Sequence, residues 1–253
     1  MGGTDWHYET AKDTGLSFIE RLKECPREPD PLVYAARVVS AVAIRAALRT
    51  YLRFDIVGRE HLPRNESFVL VANHASHLDA VALLSALSLR SLHRAYPLAA
   101  RDYFCANDAR LALTAIIANV MLFDRDGLEG LKLCKRMLEE PGNVLVMFPE
   151  GTRSIDGRVD LFRRGVGLLL AGTVHPVVPC YLDGTFSAWP KGTLIPRPAR
   201  VRLVIGEARS YERVEQNDTG VLHICADLRR AVLALAPEPR PKTARPISKE
   251  VYQ

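Results

Sequence analysis

Ser67-Phe68-Val69-Leu70-Val71-Ala72-Asn73-His74-Ala75-Ser76-His77-Leu78-Asp79-Ala80-Val81-Ala82-Leu83-Leu84-Ser85-Ala86-Leu87 is the stretch on which the fold of this chain turns. Its first six residues form a short apolar run rich in β-branched side chains, which reads as a buried strand. Ala80 to Leu87 is rich in Ala and Leu and reads as a helix. A histidine and an aspartate therefore sit where a strand hands over to a helix N-terminus. Side chains there are held by the elements on either side yet can still face a ligand. Asp79, in the first helical turn, is favoured by the helix dipole. A lone His-x-x-x-x-Asp also recurs by accident, and the plain alternative is a turn with an acidic cap and two ordinary histidines.

A second stretch changes that balance. Val144-Leu145-Val146-Met147-Phe148-Pro149-Glu150-Gly151-Thr152-Arg153-Ser154 repeats the pattern of an apolar strand followed at once by a charged turn. Pro149 ends the strand because it has no N–H to donate. Gly151 permits a tight turn or a close backbone approach to a ligand. Arg153 offers a fixed fork of donors suited to phosphate or carboxylate. Taken alone, this stretch is equally a surface turn with a solvated Glu/Arg pair.

Asn-His-x-Ser-x-x-Asp followed by Phe-Pro-Glu-Gly-Thr-Arg-Ser resembles the glycerolipid acyltransferases, of the lysophosphatidic acid acyltransferase type. Two weaker features fall in the matching order, over about residues 55 to 210. One is Val120-Met121-Leu122-Phe123-Asp124-Arg125; the other is Phe162-Arg163-Arg164-Gly165 with His175-Pro176-Val177-Val178-Pro179. The run from Cys105 to Asn119 lacks the Pro and Gly usual in the family before that Arg, with Asn119 near the Gly position. His77 stands where the family often has an aromatic.

The resemblance implies transfer of a fatty acyl group from acyl-CoA or acyl-ACP to the hydroxyl of a lysophospholipid, 1-acylglycerol-3-phosphate above all. It implies no permanently bound cofactor and no metal. His74 is then the general base, since imidazole as a class ionises at about pH 6.5. Asp79 fixes its tautomer and stabilises the imidazolium. The substrate-binding residues implied are Arg125, Glu150, Gly151, Thr152 and Arg153, with Arg153 and Arg125 holding the acceptor phosphate. Asn73 and Ser76 read as hydrogen bonders that stabilise the turn, and His77 as a bystander. Implied partners are the acyl donor, the lysophospholipid and an anionic membrane surface, with the protein peripheral on the cytoplasmic side.

The chain has 253 residues, 48% hydrophobic and 25% charged, which fits one large globular domain. A net charge of +5 suits an anionic partner without selecting one. No RNA-binding or zinc-finger pattern occurs, so no nucleic acid is expected. The five cysteines stand singly, with no Cys-x-x-Cys to suggest a zinc or redox pair. An odd number of isolated thiols fits a reducing compartment. The first residues lack the layout of a signal peptide, and no run of eighteen uncharged apolar residues occurs, so no spanning helix is expected.

The expected organisation is a polar N-terminal segment (1–31), a basic amphipathic helix (32–54), an acyltransferase domain (55–236) and a disordered tail (237–253). A short helix over Leu16 to Lys23 is compatible with the first segment. In the second, Arg37, Arg45, Arg49 and Arg53 cover roughly 160° of the helix surface. They suit lipid phosphates if the opposite side enters a membrane, or solvent if that side packs on the core. Further strands are expected over 54–58, 96–100, 174–181 and 201–206, and helices over 128–140, 165–171 and 221–235. Pro179 suggests a sheet edge or strand end, and Trp189 a membrane contact or a packed loop anchor. Strands alternating with helices give an α/β class: a single layered domain with a mostly parallel central sheet flanked by helices. The alternatives are a serine hydrolase, against which no Gly-x-Ser-x-Gly elbow occurs, and a noncatalytic lipid-binding module.

Overall fold

The run at 68–72 forms a strand whose five residues are all buried, because both of its faces are covered. Phe68, Leu70 and Ala72 join one apolar cluster and Val69 and Val71 another. The computed structural model describes residues 30–100, 114–123 and 128–237. In chain order these form α1 (Pro31–Tyr51), β1 (Asp55–Val57), β2 (Phe68–Ala72), α2 (Asp79–Ala86), β3 (Ala95–Ala100), β4 (Met121–Phe123) and α3 (Leu128–Glu139). Then follow β5 (Val144–Met147), α4 (Arg164–Leu170), β6 (Val177–Asp183), α5 (Thr185–Ala188), β7 (Arg202–Ile205) and α6 (Asp218–Ala234). The expected helix at 16–23, Arg125 and the tail beyond residue 237 lie outside the described residues.

The strands make one sheet in the order β1-β7-β6-β2-β5-β3-β4. All neighbours are parallel except β6 and β7, so β1 and β7 run against the rest. Leu83 of α2 covers one face. Met137 of α3, Leu169 and Leu170 of α4 and Ile224 and Leu228 of α6 cover the other. The domain is thus a layered α/β sandwich with a mostly parallel sheet, as expected.

Pro179 departs from expectation, since β6 lies inside the sheet between β2 and β7. The β7 ladder begins only at Cys180, paired with Ile205. Pro179 faces the end of β7, where its carbonyl accepts the Gly206 N–H at 2.8 Å, so its missing donor costs one bond at the ladder's limit.

The orientation of α1 is the larger correction. Arg37, read as lipid- or solvent-facing, is 5% exposed. Its Nε donates to the Ile116 carbonyl at 2.9 Å, and its Nη2 to the Ala115 carbonyl and Asn119 Oδ1, each at 3.1 Å. Arg45 donates to the Leu87 carbonyl at the end of α2. Carbonyls near helix ends, with lone pairs to spare, are strong acceptors for a guanidinium, which draws these arginines inward. The outward side carries Leu32, Val39 and Val42, at 82%, 69% and 53% exposure. By length and composition α1 is also long and apolar enough to cross a membrane: an 18-residue window of it has a mean hydropathy of 1.5, because the arginines among Ala, Val and Leu barely lower the average.

Candidate active site

In an open parallel sheet, a crevice opens at the carboxyl ends of two adjacent strands whose connections leave to opposite faces. β2 and β5 are such a pair. The chain after β2 enters α2 on one face, and the chain after β5 leads to α4 on the other. His74 and Glu150 lie at this fork.

Asp79 is fully buried, and a single oxygen, Oδ2, accepts three hydrogen bonds. The donors are His74 Nδ1 at 2.8 Å and the Ala75 and Ser76 backbone N–H groups at 2.7 Å each. The two backbone donors fold the loop onto the helix start, which brings residues five apart together although helical spacing would not. Its other oxygen, Oδ1, is buried without a hydrogen-bond partner among the described residues. An ionised carboxylate only accepts, so Nδ1 carries the proton and Nε2 presents a lone pair. The His74 side chain keeps 22% exposure and stacks on Phe148 with ring centres 4.2 Å apart.

The second loop is stitched to the first. Glu150 is 3% exposed, and its carboxylate accepts the His74 N–H at 2.7 Å and the Asp160 N–H at 2.9 Å. Burial pushes its pKa up, while these two hydrogen bonds pull it the other way. Ser154 N–H donates to the His74 carbonyl at 2.7 Å. Arg163 closes the turn from behind, giving its N–H to the Pro149 carbonyl at 2.8 Å and its Nε–H to the Glu150 carbonyl at 3.0 Å. Gly151 has φ +71°, and a Cβ there would lie 2.6 Å from Arg163 Nε. The glycine is therefore needed both for its backbone conformation and for the close approach.

Arg153 donates from Nη1 to His77 Nε2. His77, read from sequence as a bystander, thus meets the predicted phosphate-binding arginine and lies 5.3 Å, ring to ring, from Trp189. Thr152 is exposed in the same turn. Asn73 clamps β2 to β6, accepting the Leu182 N–H at 2.8 Å and donating to its carbonyl at 3.1 Å. Ser76 Oγ–H donates to the Trp189 carbonyl at 2.8 Å. Ser76 Oγ also accepts the Leu78 N–H at 3.1 Å and so braces the turn as expected, whereas Asn73, expected to do the same, joins two strands instead. Asn119 holds φ +51°, a left-handed conformation that explains how it can occupy a position where a glycine is usual. Among the described residues no cluster of three or more His, Cys, Asp or Glu could hold a metal ion. Sequence reasoning missed Glu150 as the partner of the His74 backbone and His77 as the partner of Arg153. Only the histidine left a signal, by replacing an aromatic.

Among known proteins, the 1-acyl-sn-glycerol-3-phosphate acyltransferase of Limnanthes alba is 32% identical over 155 residues, covering 59% of this chain and 52% of the relative. The 1-acyl-sn-glycerol-3-phosphate acyltransferase alpha of Homo sapiens is 32% identical over 137 residues, covering 52% and 46%. The chain spans about half the length of these curated relatives. The crystal structure of the 1-acyl-sn-glycerophosphate (LPA) acyltransferase PlsC from Thermotoga maritima shares the fold, with a TM-score of 0.61 at 24% identity over 78% of this chain and 79% of that one. The model of the Acyltransferase family matches residues 53–183, just over half of the chain and the whole span from the end of α1 through both loops of the crevice to the end of β6, and the chain belongs to that family.

Proposed function

We propose that this protein transfers a fatty acyl group from an acyl thioester, on coenzyme A or acyl carrier protein, to the free hydroxyl of a lysophospholipid, 1-acylglycerol-3-phosphate being the acceptor of choice. The observation that carries the reading is the bond from His74 Nδ1 to a buried carboxylate, which leaves Nε2 as a base at the crevice. The acceptor hydroxyl gives its proton to Nε2 as its oxygen attacks the thioester carbonyl. The C–O bond forms, the C–S bond breaks, and the imidazolium returns the proton to the departing thiolate. Asp79 stabilises the transient imidazolium. An already activated donor requires neither an enzyme nucleophile nor a metal. Arg153, with Arg125, holds the acceptor phosphate; Gly151 and Thr152 shape that end of the site, and Glu150 braces the His74 backbone.

The same reading places the protein peripherally on an anionic membrane surface, on the cytoplasmic side. The exposed apolar residues of α1, with the exposed Arg49 in its last turn to meet acidic headgroups, support this, and Arg37 and Arg45, tied to carbonyls of the domain, favour a helix lying at the interface over a spanning one. The test is transfer of a labelled acyl group to 1-acylglycerol-3-phosphate by purified protein. Activity in wild type and its loss in His74→Ala are expected. Full transfer by that variant overturns the base assignment, and a wild type inert across donors and acceptors favours a noncatalytic lipid-binding module.

A further inference from the structure

We propose that the loop joining α5 to β7, residues 190–200, is a second membrane-insertion element whose tip, Leu194-Ile195, enters an anionic bilayer beside the crevice. The loop is built rather than slack. The Trp189 indole N–H donates to the Thr193 carbonyl at 2.9 Å, and Thr193 Oγ1 donates to the Pro190 carbonyl at 2.9 Å. The Arg197 N–H returns to the Ala188 carbonyl at 2.7 Å. This framework holds Leu194 and Ile195 out at 93% and 75% exposure, an arrangement that costs free energy in water.

Charge identifies the occupant. Lys191, Arg197 and Arg200 are exposed around the tip, and no Asp or Glu occurs from residue 184 to 206. Two aliphatic side chains ringed by cations are too small for a stable protein interface, which buries about 800 Å² per partner. They match the boundary between acyl chains and acidic headgroups. The loop is also continuous with the outer side of α1, since Tyr51 Oη donates to the Pro196 carbonyl at 3.0 Å. It is joined to the catalytic turn as well, through Ser76 Oγ and the Trp189 carbonyl at 2.8 Å. Helix and loop together would hold the open end of the crevice against the lipid surface. The reason such a surface matters rests on the proposed acyl transfer; the surface itself does not.

The test is sedimentation of the full chain with vesicles of phosphatidylcholine and phosphatidylglycerol. The double variant L194S/I195S should bind more weakly by about 100-fold or more, the effect of withdrawing two aliphatic side chains from hydrocarbon. R197Q/R200Q should weaken binding to these vesicles and leave the residual affinity for pure phosphatidylcholine unchanged. Val174→Ser alters another exposed aliphatic (64% exposed) at the opposite end of β6 and should bind as wild type. Wild-type affinity in L194S/I195S overturns the proposal, as does an equal loss in the Val174 variant. Transfer to a short-chain, water-soluble acceptor should survive in L194S/I195S. A wild type that transfers nothing yet shows this binding pattern would refute the acyl-transfer reading and leave the insertion element standing.

Discussion

Replacing Asp79 with Asn separates the two contributions this side chain makes. One oxygen accepts from His74 Nδ1 and from two backbone N–H groups, so an Asn carbonyl placed there keeps all three hydrogen bonds and the same tautomer. What disappears is the negative charge beside the imidazolium. For charge centres about 4 Å apart at an effective dielectric of about 20, that attraction is about 4 kcal/mol. At about 1.4 kcal/mol per decade, kcat should fall between about 10²- and 10³-fold, the larger value being the full Coulomb term. The amide NH₂ then occupies the position of Oδ1, which has no partner among the described residues, and should lower stability by about 1–3 kcal/mol. The assay is thioester cleavage followed continuously through the released thiol, with urea unfolding in parallel. Retention of more than about a third of wild-type kcat by a folded Asp79→Asn protein would refute the argument that the carboxylate stabilises an imidazolium.

Arg153→Ala should raise KM for a phosphate-bearing acceptor about 10- to 100-fold with a far smaller change in kcat, as a charge-assisted hydrogen bond is lost; an equal drop in kcat for an acceptor lacking phosphate would count against that role. Glu150 yields a prediction about pH. Burial raises its pKa above the ordinary 4.5, so the folded chain holds this proton more tightly than the unfolded one. The resulting contribution to stability is complete below 4.5 and is lost as pH rises through the raised native value. Wild type should therefore lose urea stability relative to Glu150→Gln as pH rises above 4.5 through the raised native value, and parallel pH profiles would contradict this. At Gly167 a Cβ would lie 2.4 Å from the Val221 carbonyl oxygen, so Gly167→Ala must push α4 from α6. A loss of about 1–3 kcal/mol in chemical denaturation is expected, and an unchanged midpoint would show that the helices yield freely.

The elements of the domain were legible because their causes are local. β-branched runs bounded by polar residues gave β2 and β5, and Ala- and Leu-rich periodicity gave α2. The His74–Asp79 pair was legible for the same reason: five residues of turn bring it together through backbone groups inside the motif. Gly151 was legible because one positive φ at a tight turn calls for glycine. The antiparallel placement of β7 and the internal place of Pro179 were not legible, since strand order depends on which edges meet after the helices have packed.

The sequence by itself determined that a histidine, a carboxylate and an arginine would stand at strand ends of a layered α/β domain, because hydrophobic period, turn chemistry and helix-start electrostatics act over a few residues. Only the tertiary structure decided how those groups are supported. Glu150 reaches the His74 backbone and Arg153 reaches His77 across 76 residues each. Arg37 turns inward to carbonyls 78 and 79 residues away and leaves the apolar side of α1 outermost. A guanidinium takes whichever carbonyl acceptors the folded chain leaves within its reach, and those acceptors are brought beside it only once distant segments have packed.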